Sequence, residues 1–200
     1  MVMEKYIAKP LSFQSLNGIS EKTLEIHHGK LYQGYVNKTN EILERLAEAD
    51  FTSANQIYSG AGELKRQFSF AWNGVVLHEG YFESLGGDGQ IKDGNLKKAI
   101  EEKFGSIEKW KEDFLASGLA ARGWVVLAYD FNSHGLQNYS CDIHNQGGIW
   151  GTAPIIVLDV YEHAYFIDFG ADRKSYIETY FKNLNWQRLE KKFNKIKVEP

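Results

Sequence analysis

The regular spacing of apolar residues in the first 85 positions is the feature that most limits how this chain can fold. From residue 20 to residue 47, apolar side chains recur every three or four positions, which is the period of an amphipathic helix. Ser20 is a suitable N-cap for that helix. A second stretch, from about Asn55 to Leu85, has the same spacing and ends at the glycine cluster of residues 86–89. Because neither helix can bury its apolar stripe alone, we expect an antiparallel helical hairpin.

The chain after the glycine cluster has a mixed pattern. Four helical segments are predicted: Lys92–Phe104, Ser106–Leu119, Glu162–Phe169 and Ser175–Phe181. Three strands are predicted: Trp124–Tyr129, Gly135–Asp142 and Pro154–Asp159. The sequence therefore predicts an α+β protein with a boundary in the glycine cluster. Residues 1–88 would form a domain made of a long helical hairpin. Residues 89–200 would form an α/β domain with a small antiparallel sheet, of about three strands, flanked by helices.

Charge and cysteine content exclude several classes of protein. A formal net charge of −3 argues against bulk attraction to nucleic acid or to anionic lipid. The first residues lack the apolar segment of a secretory signal, and the longest apolar runs are too short to cross a bilayer. Cys141 is the single cysteine, so no disulfide can form within the chain. We expect a cytoplasmic protein with neither nucleic-acid nor membrane partners.

Four side chains of metal-binding type stand out. Asp159 and His163 are four residues apart after a predicted strand, a spacing that by itself more often gives a surface pair than a metal site. His27 and His78 each lie on the apolar stripe of a predicted long helix. A lone histidine on such a stripe is usually a satisfied core residue, but two on facing helices both need partners for their ring nitrogens. Three imidazoles and one carboxylate suit a divalent or trivalent first-row metal ion.

The segments EIHHGKLYQGYVN (25–37), LDVYEHAYFIDF (158–169) and YIETYFKNLNW (176–186) resemble the iron/manganese superoxide dismutase family. The resemblance extends from about Leu11 to Phe193. It implies that the family's four metal ligands are His27, His78, Asp159 and His163, which hold one manganese or iron ion per chain. It also implies that two superoxide anions are converted to dioxygen and hydrogen peroxide.

The resemblance also assigns roles around the metal. Tyr35 would be the gateway tyrosine above the site, with a simple core tyrosine as the alternative. Gly74 would leave a gap, and either His144 or Gln146 would contact solvent on the metal there. Glu162 would reach across a homodimer, or a larger assembly, to the partner's ligand histidine. Aromatic side chains would wall the cavity: Phe82, Trp124, Tyr161 and Tyr165.

The sequence departs from the family pattern at four positions near the site. Leu31 replaces a frequent histidine, whereas Phe82, Val126 and Tyr161 replace tryptophans. Two alternative functions are therefore considered. A non-haem iron oxygenase would use two histidines and one carboxylate, and would couple oxygen uptake to an organic substrate. A non-catalytic metal-binding relative would keep the ligands without turnover.

Overall fold

One continuous helical run forms the first arm of the hairpin. The structure is a computed structural model that describes the backbone of residues 5–198 and the side chains of residues 5–196. The run has three parts: α1 (Glu21–Leu24), a π-helical segment (Glu25–Tyr32) and α2 (Gln33–Ala47). The Ser20 side chain accepts a hydrogen bond from the Thr23 amide at 3.2 Å and caps α1. The predicted helix is confirmed in extent, but residues 25–32, in its first half, are π-helical rather than α-helical.

The second arm of the hairpin is α3 (Gly60–Ser84), which packs along α2. It begins five residues later than predicted, because Ser59 caps it by accepting a hydrogen bond from the Gly62 amide at 3.1 Å. Ahead of this cap, the Asn55 side chain accepts a hydrogen bond from the Ile57 amide at 2.8 Å. Such a local turn competes with helix formation, so the prediction of a helical start at Asn55 was wrong.

The second half of the chain contains the predicted mixture of helices and strands. Its helices are α4 (Asn95–Phe104), α5 (Ile107–Ala120), α6 (Phe166–Phe169), α7 (Arg173–Lys182) and α8 (Trp186–Val198). Its strands are β1 (Trp124–Asp130), β2 (Gly135–Cys141) and β3 (Thr152–Asp159). They form one antiparallel sheet in the order β2-β1-β3, with Trp124 opposite both Cys141 and Asp159. The predicted α+β fold with a three-stranded antiparallel sheet is confirmed.

One predicted helix, Glu162–Phe169, is broken in two. The structure has a 3₁₀ turn at Glu162–Ala164 and then the single turn of α6. Tyr165 separates them, since its φ of −141° is not helical. The break keeps His163 on a short turn immediately after β3.

Contacts between α3 and β3 join the two halves of the chain. A Cβ built on Gly80 would lie 2.7 Å from a methyl carbon of Val157, so only glycine permits this approach of helix and sheet. The Val157 amide also donates to the Ser84 hydroxyl at 3.3 Å. His78 on α3 is thereby held beside Asp159 at the end of β3.

The glycine cluster packs against the chain between α7 and α8. The Gly87 amide donates to the Asn183 carbonyl at 3.0 Å, and the Gly89 amide donates to the Leu184 carbonyl at 3.1 Å. The domain boundary predicted between residues 88 and 89 lies in this segment and stays a prediction. Within residues 5–198, none of the helices is both long enough and apolar enough to span a membrane.

Candidate metal centre

Four side chains from four different elements meet in the interior of the molecule. His27 comes from the π-helical segment, His78 from α3, Asp159 from the end of β3, and His163 from the 3₁₀ turn. Each offers one ligand atom, and these atoms all lie within 4.8 Å of one another. His27, His78 and Asp159 are completely buried, whereas the His163 side chain is 28% exposed. We call these four residues the metal cluster.

Asp159 lies at the centre of the metal cluster. Its Oδ1 accepts a hydrogen bond from the Tyr161 amide at 2.9 Å, which orients the carboxylate. Its Oδ2 is 3.0 Å from Nε2 of His27, 3.1 Å from Nε2 of His163 and 3.7 Å from Nε2 of His78. Three imidazoles therefore surround one carboxylate oxygen.

The hydrogen bond of His78 shows that the metal cluster fits a cation. Nδ1 of His78 is 2.6 Å from the Gly74 carbonyl oxygen, which can only accept, so Nδ1 carries the proton. Nε2 then has a free lone pair, and it is buried without a hydrogen-bond partner among the side chains and backbone that the structure describes. A buried acceptor without a donor is costly, and a metal ion satisfies it.

Burial and mutual attraction set the charges in the metal cluster. Burial lowers the pKa of His78 to about 3 and also lowers the pKa of His27, so both rings are neutral near pH 7. Burial opposes ionisation of Asp159, but the neighbouring His163 and His27 hold the pKa of this carboxyl well below its usual range. The result is an ionised carboxylate beside two neutral imidazoles, those of His27 and His78. Burial opposes the charge on His163, but the attraction of Asp159 raises the pKa of this third ring. Three imidazoles and one carboxylate form a donor set suited to a first-row transition metal.

A second layer of hydrogen bonds lies beside the metal cluster. Nε1 of Trp124 donates to Nδ1 of His144 at 2.9 Å, and Nε2 of His144 is 2.6 Å from the Tyr35 hydroxyl. The Tyr35 ring centre is 5.3 Å from that of His78. Gln146 is exposed, and its backbone N–H donates to the Ile143 carbonyl at 3.3 Å. Of the two residues considered for this position, His144 is therefore the one in contact with Tyr35.

The space over Gly74 is filled by an aromatic ring. A Cβ built on Gly74 would lie 2.7 Å from Cδ1 of Tyr35 and 2.9 Å from Cγ. A larger residue at position 74 would therefore displace the Tyr35 ring. The absence of a side chain here is what lets Tyr35 lie against α3.

Aromatic rings wall the metal cluster, as predicted for three of the four. The ring centre of Trp124 lies 5.0 Å from that of His78, and the ring centre of Phe82 lies 5.1 Å from that of His27. Tyr161 stacks on His163, with ring centres 5.4 Å apart. Tyr165 instead packs on Tyr176, and its hydroxyl accepts a hydrogen bond from Arg173. Within the described residues, the Tyr165 ring therefore contacts Tyr176 and Arg173 and no ring of the metal cluster.

Two further tyrosines near the metal cluster were missed from the sequence. Tyr81 lies 4.9 Å from the His27 ring, and Tyr32 stacks 6.3 Å from the His78 ring. Tyr81 follows His78 by three positions, which is a visible helical signal. Tyr32 follows His27 by five positions along the π-helical segment, and this spacing is not one of the three- or four-residue intervals that mark one face of an α-helix.

The remaining departures from the expected pattern lie on the periphery. Leu31 lines the groove between α2 and α3 together with Tyr35. Val126 lines a separate cavity of about 350 Å³ that also reaches His144. Neither residue belongs to the metal cluster.

The face of the metal cluster that carries His163 opens to the surface. A cleft of about 580 Å³ lies there, and Arg122, Tyr161, Glu162 and His163 contribute to its lining. Glu162 is exposed in this cleft. Exposed apolar side chains follow on α6, namely Phe166 at 55% and Ile167 at 43% exposure.

Two family models match the chain. Residues 10–86 match the alpha-hairpin domain of iron/manganese superoxide dismutases, and residues 92–192 match the C-terminal domain of the same proteins. The first match contains His27 and His78, and the second contains Asp159 and His163.

Curated relatives agree with the family models. The superoxide dismutase [Fe] of Aquifex aeolicus is 43% identical over 187 residues, covering 91% of this chain and 87% of that protein. The superoxide dismutase [Fe] of Cupriavidus metallidurans is 40% identical, covering 94% of this chain and 96% of that protein. The superoxide dismutase [Mn] 1 of Halobacterium salinarum is 38% identical, with coverages of 88% and 86%. The chain belongs to the iron/manganese superoxide dismutase family.

Proposed function

We propose that this protein is a superoxide dismutase that uses one iron or manganese ion held by the metal cluster. The observation that carries the proposal is the convergence of three imidazoles on the single carboxylate of Asp159. Within the described part of the chain, Nε2 of His78 has no hydrogen-bond partner. In the reaction, one superoxide anion loses an electron to become dioxygen. A second gains that electron and two protons to become hydrogen peroxide. When bound, the metal supplies the one-electron couple.

The residues of the chain supply the environment for this reaction. Trp124 and Phe82 cover His78 and His27, whose rings are fully buried, so bulk water is excluded from that side of the metal cluster. Burial, with a smaller contribution from the charge on Asp159, raises the pKa of Tyr35, so its hydroxyl keeps its proton near pH 7. Burial lowers the pKa of His144 to about 4, so that ring is neutral. Tyr35 is therefore placed to hold a proton beside the reacting species.

The two alternative functions are less well supported. An iron oxygenase of the kind considered needs only two histidines and one carboxylate, whereas a third imidazole lies within the same 4.8 Å here. A non-catalytic relative would have no need for the hydrogen-bonded pair of Tyr35 and His144 beside the ligands.

The test combines metal analysis with a dismutation assay on one purified sample. We expect close to one iron or manganese ion per chain, and consumption of superoxide without an organic substrate. His78→Asn should lose both the metal and the activity, because it removes the buried lone pair. His134→Asn is the matched control, since His134 is exposed at a turn where asparagine is tolerated. Activity in metal-free protein, or in metal-free His78→Asn, would contradict the proposal.

We also propose that two copies pair through the face around the His163 cleft. His163 is the one member of the metal cluster with an exposed side chain, and Glu162 and the apolar residues Phe166 and Ile167 lie beside it. A second copy placed there would cover these apolar groups and would shield His163. Glu162 could then accept a hydrogen bond from the partner's ligand histidine.

We propose a cytoplasmic location on the basis of the cysteine content. Cys141 is the single cysteine of the sequence, and it is buried as a free thiol. A chain without disulfides suits a reducing compartment. Cell fractionation of the source organism tests the proposal, and recovery of the protein outside the cell would contradict it.

A further inference from the structure

A chain of two hydrogen bonds runs from Trp124 through His144 to Tyr35. Nε1 of Trp124 lies 2.9 Å from Nδ1 of His144, and Nε2 of His144 lies 2.6 Å from the Tyr35 hydroxyl. Trp124 is fully buried and His144 is 5% exposed, so bulk water does not compete for either bond. Among residues 5–196, His144 is the single hydrogen-bond partner of the Tyr35 hydroxyl.

The chemistry of the indole ring fixes the direction of both bonds. An indole nitrogen can donate a hydrogen bond but cannot accept one, so Nδ1 of His144 must be the acceptor. A proton on Nδ1 would place two N–H groups against each other at 2.9 Å. This excludes both the Nδ1–H tautomer and the doubly protonated ring. The neutral ring with its proton on Nε2 is the form that satisfies both contacts.

We propose that Trp124 is a positioning residue, which holds His144 in the Nε2–H tautomer and so makes His144 a donor to the Tyr35 hydroxyl oxygen. Trp124 does this without touching the reacting species. The consequence falls on Tyr35, because a hydroxyl that accepts from His144 keeps its own proton free for another acceptor. This inference deepens the proposed function, since that acceptor would be a group held at the metal cluster.

The assignment also separates the roles of His144 and Tyr35. A neutral imidazole has one N–H group, and here that group is used on Tyr35. His144 therefore has no second donor for a group at the metal cluster. The donor at this position is the Tyr35 hydroxyl, and His144 acts through it.

Nitrogen-15 NMR of full-length protein loaded with zinc tests the inference. Zinc is diamagnetic and redox-inert, and long-range proton–nitrogen correlations show directly which ring nitrogen is protonated. The His144 signals are assigned by their loss in His144→Gln. We expect Nε2 to be protonated and Nδ1 unprotonated. The Nδ1–H form, or an equal mixture of the two forms, would overturn the inference.

Two variants separate Trp124 from the other causes of a fixed tautomer. In Trp124→Phe, the donor to Nδ1 is lost. The proton–nitrogen correlations of His144 should then no longer show the Nε2–H tautomer alone. Trp186→Phe is the matched control, because Trp186 is also buried and its Nε1 has no hydrogen-bond partner within residues 5–196. The His144 pattern should be unchanged there. A Trp124→Phe protein that keeps the pure Nε2–H form would overturn the inference.

A third variant keeps the inference testable if Trp124→Phe does not fold. Tyr35→Phe removes the acceptor of the Nε2 proton and leaves the Trp124 donor in place. The Nε2–H form should therefore persist in Tyr35→Phe, and its loss would mean that Tyr35, not Trp124, sets the tautomer. A superoxide assay on the iron- or manganese-loaded wild-type protein is separate. Failure of that assay with the tautomer intact would contradict the proposed function alone.

Discussion

Asp168 illustrates how one side chain can position two members of the metal cluster. Its Oδ2 accepts hydrogen bonds from the Ser20 amide at 2.9 Å and from the Thr23 hydroxyl at 2.7 Å. Asp168 lies in α6, just after His163, while Ser20 and Thr23 lie at the start of the helix that carries His27. The carboxylate thus joins two segments that are distant in sequence.

The link made by Asp168 should depend on pH. Burial raises the pKa of this carboxyl, but hydrogen bonds from Ser20 and Thr23 outweigh that effect and lower it. A carboxyl with a lowered folded-state pKa stabilises the fold above its unfolded pKa, and the contribution is lost as pH falls through the folded value. Asp168→Asn should therefore lower the free energy of unfolding by about 1 kcal/mol at pH 7.

Urea denaturation at several pH values measures the effect of Asp168→Asn. The difference from wild type should shrink as pH falls below about 4, the ordinary range of an aspartate. Asp142→Asn is a control in an exposed position and should change stability little at any pH. A difference for Asp168→Asn that stays constant from pH 7 to acid would contradict a charge-dependent link.

At the scale of elements, the sequence predicts most of the architecture because its signals are local. The caps Ser20 and Ser106, the glycine cluster and the apolar strands each determine structure within a few residues. The π-helical segment is not predictable in this way, since the same apolar residues fit the 3.6-residue period of an α-helix. The segment also packs against α3, and a tertiary contact of that kind cannot be predicted from a local pattern.

The choice between His144 and Gln146 also required the structure. Both residues lie in a polar, glycine-rich loop where no periodicity sets which side chain points inward. Nδ1 of His144 meets Trp124, a residue on the neighbouring strand β1, so the loop is fixed by a tertiary contact. The members of the metal cluster were predictable because three of them lie on helical or strand patterns with a clear buried face.

The close packing of α2 on α3 depends on Gly74. Gly74→Ala would place a methyl group 2.7 Å from the Tyr35 ring, which must then move. Overpacking of this kind costs about 1–3 kcal/mol, which exceeds the ~0.5–1 kcal/mol that alanine gains over glycine in a helix. We therefore expect a net loss of stability, together with a weakened hydrogen bond between Tyr35 and His144.

Gly34→Ala is the matched control for Gly74→Ala. Gly34 lies in α2 beside Tyr35, and a Cβ built there meets nothing within 4 Å. Its replacement should be neutral or stabilising by up to about 1 kcal/mol. Denaturant unfolding of both variants measures the contrast, and equal stabilities would mean that Tyr35 does not depend on the space over Gly74.

At the scale of the whole molecule, the proposed pairing of two copies makes a specific prediction. Phe166→Lys puts a charge on the apolar face beside the His163 cleft, where burying it in an interface would be costly. Sedimentation velocity should therefore show wild-type dimers and mainly monomers of Phe166→Lys. Phe51→Lys is the control, because Phe51 is also 55% exposed but lies next to α2, near the tip of the hairpin. Dimers of both variants would place the interface elsewhere.

The four members of the metal cluster are spread from position 27 to position 163 of a chain of 200 residues. During translation, the nascent polypeptide cannot present the complete set of donors until His163 has been added. The early hairpin carries just two imidazoles and no carboxylate of the set. A metal ion that needs all four donors can therefore be bound only after His163 has been added to the chain.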